Sequence, residues 1–214
     1  SRRQRQMCIR DSEEVLQGMI LSGTVVLCHD NIYLPRIFDL EDSTAHLIAK
    51  RLVFASEVEH IAPLMEQIKK EMGIYLSTKQ DKAVRMAFRH NLSIITGSPG
   101  TGKTTVLKTI LEVYRRRHTD GKIMLMAPTG RASRRMAEST GFEEAKTLHS
   151  GLGLGSEEDE NGRKKEASLL TADLIIVDEF SMVDMWLAKQ LFQRLKDDCR
   201  IVLVGDADQL PSVG

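Results

Sequence analysis

Eight consecutive residues constrain this chain more than any others: Gly97-Ser98-Pro99-Gly100-Thr101-Gly102-Lys103-Thr104. They match the spacing G-x-x-x-x-G-K-[ST] at every fixed position. The apolar run Leu92 to Thr96 leads in, and a stretch rich in Leu, Ile and Val from Thr104 to about Arg117 leads out. A strand, a glycine-rich turn and a helix in that order form a cradle for crowded phosphate oxygens. Glycines let backbone N–H groups converge without Cβ interference. The start of the helix adds the positive end of its dipole. Lys103 is then placed to reach the outer phosphates, and the Thr104 hydroxyl to ligate Mg²⁺.

The same region alternates strand and helix. Further short apolar runs lie at Ile123 to Ala127, Leu174 to Val177 and Ile201 to Val204. Continuous apolar runs of this length suit strands covered on both faces. Helical stretches at Ala132 to Ser139 and Val183 to Leu195 separate them. The expectation is an α/β fold: a parallel sheet with helices on both faces. Between His149 and Ser168 the pattern gives way to glycine and acid, as in a mobile surface loop.

The part before Gly73 reads differently. Asp11 and Glu14 have capping-box spacing ahead of Val15, Leu16, Met19 and Ile20, and Gly23 closes that helix. Thr24 to Cys28, the turn at His29-Asp30-Asn31, and Ile32 to Pro35 read as a β-hairpin. A long helix from about Ser43 to Met72 follows, interrupted at Pro63. The chain thus divides into an accessory module at 1–73, winged-helix-like in its element order, and an α/β domain at 74–214. The module reads first as a structural lid on the α/β domain, with contact to nucleic acid as the alternative.

Composition narrows the setting. Lys plus Arg and Asp plus Glu both number 30, so any nucleic-acid contact rests on local patches and not on net charge. The cysteines are Cys8, Cys28 and Cys199; none forms a CxxC pair. That excludes a zinc ribbon or disulfide framework and fits reduced thiols in a cytoplasmic protein. No apolar run is long enough for a signal peptide or membrane span.

Asp178-Glu179 end the third apolar run, about 75 residues after the phosphate loop. Ligands sit at the carboxyl edge of a parallel sheet. Asp178 fits a Mg²⁺-organising carboxylate and Glu179 a base for the attacking water. The last run leads to Gln209, placed to sense a terminal phosphate. Gln80 carries an amide able to pair with an adenine edge.

These segments together resemble the RecD-like branch of superfamily 1 DNA helicases, the family of the exodeoxyribonuclease V α-subunit. The resemblance covers about residues 75 to 214 and lies in Gln80, Gly97 to Thr104, Ala127-Pro128-Thr129-Gly130-Arg131-Ala132-Ser133, Thr147-Leu148-His149, Val177 to Asp184, and Gly205-Asp206-Ala207-Asp208-Gln209-Leu210-Pro211-Ser212-Val213-Gly214. The Pro-Thr-Gly-Arg-Ala-Ser run and the final segment are its most specific parts. The resemblance implies a RecA-like P-loop NTPase fold, with ATP and Mg²⁺ held by Gln80, Gly97, Ser98, Pro99, Gly100, Thr101, Gly102, Lys103, Thr104 and Thr105, and by Asp178 as metal ligand. It implies catalysis by Lys103 and Glu179, with Gln209 coupling the terminal phosphate to DNA movement. It implies single-stranded DNA contacts at Pro128, Thr129, Gly130, Arg131, Thr147 and His149, with Arg131, Arg134 and Arg135 as a basic cluster for phosphates. Recombination or repair subunits are implied as partners. The family continues into a second motor domain bearing arginine fingers. Without such an arginine, worth roughly 10³–10⁵ in rate, a piece like this is expected to bind nucleotide but hydrolyse it poorly. An ATP-switched binding module and a small-molecule kinase are the rival readings. A kinase has no need of Asp178-Glu179 followed by Gln209.

Overall fold

The computed structural model describes residues 2–53, 60–142, 144–154 and 168–206, with the side chains of 2–11 and 53 left aside. It falls into two compact units, 1–46 and 47–214.

The first unit opens with α1 (Arg2–Leu21). Asp11 lies inside this helix and does not cap it, because helical backbone already runs from Arg2. Gly23, at φ 71°, turns the chain out of the helix in a conformation that suits glycine. Strands β1 (Val26–Cys28) and β2 (Asn31–Tyr33) pair antiparallel around His29 and Asp30, and His29 takes the left-handed backbone of a tight hairpin turn at φ 53°. Helix α2 (Pro35–Val53) begins immediately. It starts eight residues before the expected Ser43, since proline is well suited to a first helical turn.

The expected long helix to Met72 is therefore two helices, and residues 54–59 between them lie outside the described residues. Helix α3 (Ala62–Met72) carries Pro63 in its first turn, so the proline starts a helix and does not kink one. Gly73 is its left-handed C-cap at φ 62°. The expected domain boundary there is a helix end only. Ile61, Met65 and Ile68 are buried with the core of the second unit, so α3 belongs to that unit.

Helix α4 (Thr78–Arg89) follows under a full capping box. Its charged face leaves only Val84, Ala87 and Phe88 buried. Then come β3 (Leu92–Thr96), α5 (Lys103–Arg117), β4 (Ile123–Ala127), α6 (Gly130–Thr140), β5 (Lys146–Thr147), α7 (Leu148–Gly151), β6 (Leu174–Val177), a 3-10 turn (Phe180–Met182), α8 (Met185–Gln193) and β7 (Arg200–Gly205). The sheet is parallel throughout, in the order β3-β7-β6-β4-β5. The four long runs appear as strands where expected; β5 is additional. The acidic loop expected after His149 falls mostly on 155–167, outside the described residues.

Alternation sets the layers. Ile176, Val202 and Val204 face a core shared with α3, α4, α5 and α6. Ile175, Val177, Ile201 and Leu203 face a second core with α7 and α8. Each such buried side chain contributes about 1.5–3 kcal/mol, so the two-sided burial dominates the sheet's stability. Leu47 and Ile48 from the end of α2 pack on the second core. Nearby, buried Arg51 donates to the carbonyls of Asp197 (3.3 Å) and Cys199 (3.2 Å).

Cys199 is fully buried, and desolvation pushes its thiol from an ordinary 9.0 to about 12. Burial disfavours the thiolate, so the native state holds this proton more tightly than the unfolded chain. That preference is fully present below pH 9 and is lost as pH rises through 12. We expect alkylation at pH 8 to leave Cys199 unmodified in the native protein and to modify it fully in denaturant. Peptide mapping checks this; native labelling at the unfolded rate would contradict the packing.

Candidate nucleotide site

The loop between β3 and α5 is built before any ligand is considered. Gly100 and Gly102 take φ 79° and 82°, backbone that side-chain-bearing residues rarely adopt. A Cβ on Gly102 would stand 2.4 Å from Gln80 Nε2. Gln80 explains that closeness. Its Nε2 donates to the Thr101 carbonyl (2.9 Å) while its Oε1 accepts from the Ser77 N–H (2.8 Å). One side chain therefore caps α4 and ties it to the phosphate loop. The Thr101 hydroxyl donates to the Ser98 carbonyl (2.8 Å), and Gly97 leaves room for that hydroxyl.

Lys103 opens α5 and folds back over the loop. Its Nζ donates to the carbonyls of Gly97 and Ser98. The ammonium is thus held over the loop by neutral acceptors, which phosphate oxygens outcompete. A cleft of about 390 Å³ lies alongside, within the range of small-molecule sites. The loop lines it with Pro99, Gly100, Gly102, Lys103 and Thr104. Gly97, Ser98, Thr101 and Thr105 shape the loop and helix start and are not among the lining residues.

Asp178 and Glu179 line the same cleft from the carboxyl end of β6. The strand delivers Asp178 in register, its N–H donating to the Met126 carbonyl at 3.0 Å. Glu179 then turns sharply, at φ 52°. Such backbone on a non-glycine residue costs about 1–3 kcal/mol, and it persists only where surroundings impose it. Here the Glu179 N–H donates to Asp178 Oδ1 (2.8 Å), which holds the Asp178 carboxylate in place. Gly205, ending β7, lets backbone approach closely: a Cβ there would meet the Ser181 N at 3.3 Å. Buried Asp206 also lines the cleft.

Thr104 and Asp178 offer a hydroxyl and a carboxylate to one space. Hard oxygen donors of this kind, few in number, suit Mg²⁺ completed by phosphates and water. The residues present fit that ion.

Arg135 has a neighbour the sequence did not indicate. Expected beside nucleic-acid phosphates, it lines the nucleotide cleft, with Nη1 3.8 Å from Glu179 Oε1. Its spacing along α6 gave no sign of this, because the sheet order that puts β4 beside β6 is not written in the sequence.

Near the other edge of the sheet, β5 pairs with β4 so that Ala127 lies opposite Thr147. The segments Pro128 to Arg131 and Thr147 to His149 therefore leave the sheet side by side. Thr129 Oγ1 accepts from the Ala132 N–H and caps α6; Thr147 Oγ1 accepts from the Ser150 N–H and caps α7 (both 3.2 Å). Arg131 and His149 are exposed. Gln209 lies outside the described residues.

A family model described as an AAA domain matches residues 80–214. The chain is similar to the ATP-dependent RecD2 DNA helicase of Deinococcus radiodurans, at 34% identity over 85% of this chain and 24% of that protein. It is similar to the RecBCD enzyme subunit RecD of Haemophilus influenzae, at 36% identity over 69% of this chain and 27% of that one. It thus spans about a quarter of the length of these relatives. Among solved structures, the UvsW helicase from bacteriophage T4 superposes with a TM-score of 0.52 over 72% of this chain and 62% of that one; at 12% identity it speaks for the fold alone. With its P-loop, acidic pair and five-stranded parallel sheet, the chain belongs to the AAA domain family, in the RecD-like branch of the superfamily 1 helicases.

Proposed function

We propose that this chain is the nucleotide-binding part of an ATP-driven motor that moves on single-stranded DNA and unwinds duplex. The observation that carries the reading is the convergence of Lys103, Thr104, Asp178 and Glu179 on one cleft at the carboxyl edge of the sheet. In this reading the loop amides and Lys103 hold the phosphates of ATP. Thr104 and Asp178 hold Mg²⁺, which when bound neutralises charge developing on the phosphates. Glu179 orients the attacking water and takes its proton. Gln80 adds an adenine contact to its role at the loop, since each end of an amide has further hydrogen-bonding capacity.

DNA contact at Pro128, Thr129, Gly130, Arg131, Thr147 and His149 rests on two supports. The segments are adjacent at the sheet edge, and Arg131 and His149 are exposed there, a cation and an imidazole able to meet phosphate. Gln209 would connect this edge to the terminal phosphate. Partner subunits of the recombination type belong to the same reading. No helix among the described residues is long and apolar enough to cross a membrane.

The test is steady-state ATP hydrolysis by the full-length protein with and without oligothymidylate. Turnover should rise with DNA. Arg131→Ala should weaken DNA binding and lower the salt dependence of that binding by about one counterion, with KM for ATP unchanged. Hydrolysis indifferent to DNA would instead favour an ATP-switched module.

A further inference from the structure

Helix α6 connects the two edges of the site. Its first turn carries Gly130 and Arg131, at the segment assigned to DNA. One turn later it carries Arg135, whose guanidinium faces Glu179 across the nucleotide cleft at 3.8 Å. Residues four apart lie on one face of a helix, so Arg131 and Arg135 form a continuous basic row. Arg135 is 69% exposed and Glu179 30%. The arginine is thus free to swing on its long stem, while the Glu179 backbone is held in the left-handed region.

We propose that Arg135 is a positioning residue that restrains Glu179 until a nucleic-acid phosphate at the start of α6 draws its guanidinium away. The inference rests on the motor reading above. A guanidinium 3.8 Å from the carboxylate stands where the nucleophilic water must reach it, so the pair must open before Glu179 can orient that water. Opening it adds to the barrier when DNA is absent. A DNA phosphate bound beside Arg131 offers Arg135 a stronger, bidentate partner and removes that addition. Stimulation by DNA then arises within one helix, from exchange of one ion pair for another.

The test uses the full-length protein and measures kcat and KM for ATP with and without saturating oligothymidylate, in wild type, Arg135→Ala, Arg135→Gln and Arg135→Lys. Both uncharged variants should raise DNA-free kcat roughly two- to five-fold, the rate equivalent of an exposed ion pair. Their kcat with DNA should stay near wild type, so the stimulation ratio falls by the same factor. Lysine, which keeps the charge, should restore most of the restraint. A rise in kcat cannot come from misfolding. DNA-free kcat of both uncharged variants at or below wild type overturns the restraint and leaves the motor reading intact. A wild type whose hydrolysis ignores DNA removes the motor reading, and the restraint with it.

Discussion

Lys103→Ala in the full-length protein should lower ATP turnover by roughly 10²–10³-fold, the usual effect of removing one preorganised donor from a developing anionic charge. The structure explains why nothing nearby replaces it. The ammonium sits over the loop, held by the carbonyls of Gly97 and Ser98. The next cation lining the cleft among the described residues is Arg135, which faces Glu179. Nucleotide affinity should fall as well, because Lys103 meets the phosphates in ground and transition states alike. The fold should hold: those two carbonyls have a solvent-facing loop around them, and the α5 core of Val106, Leu107 and Ile110 is untouched. Lys103→Arg should not rescue, since a planar fork does not fit where a point charge is cradled. Measured kcat within threefold of wild type would remove the lysine from its assigned place.

Glu179→Gln should separate binding from chemistry. The isosteric amide keeps the Glu179 N–H bond to Asp178 Oδ1 and the left-handed turn, so Asp178 stays oriented. What it loses is the ability to accept a proton from water. We expect kcat to fall by about 10²–10⁴-fold, the range for a lost general base, with nucleotide affinity near wild type. The contrast with Lys103→Ala, where both quantities fall, identifies the two roles. A variant that turned over at the normal rate would mean the water is activated by another group.

Much of this site was legible before the fold. The phosphate loop, and the carboxylates ending an apolar run, are local patterns whose chemistry demands particular residues at particular spacings. The four long strands were equally plain, because burial on both faces leaves them continuously apolar. Helix α4 was not: Lys79, Asp81, Lys82, Arg85 and Arg89 crowd its sequence, and its three buried residues make too narrow a stripe. The expected helix from Ser43 to Met72 is two helices, because Pro63 starts one inside that span and Pro35 starts the other eight residues before it. Strand β5, two residues long, exists only because β4 offers it an edge. The place of Arg135 beside Glu179 was hidden for the same reason. Its neighbours are set by strand order, and strand order is a property of the whole sheet.

The most direct measurement is a crystal structure of the protein with Mg²⁺ and a non-hydrolysable ATP analogue. Lys103 Nζ should have left the carbonyls of Gly97 and Ser98 for the terminal phosphates, with the ion between Thr104 and Asp178. An analogue bound away from this cleft, or seated in it with Lys103 still folded onto the loop carbonyls, would contradict the assignment.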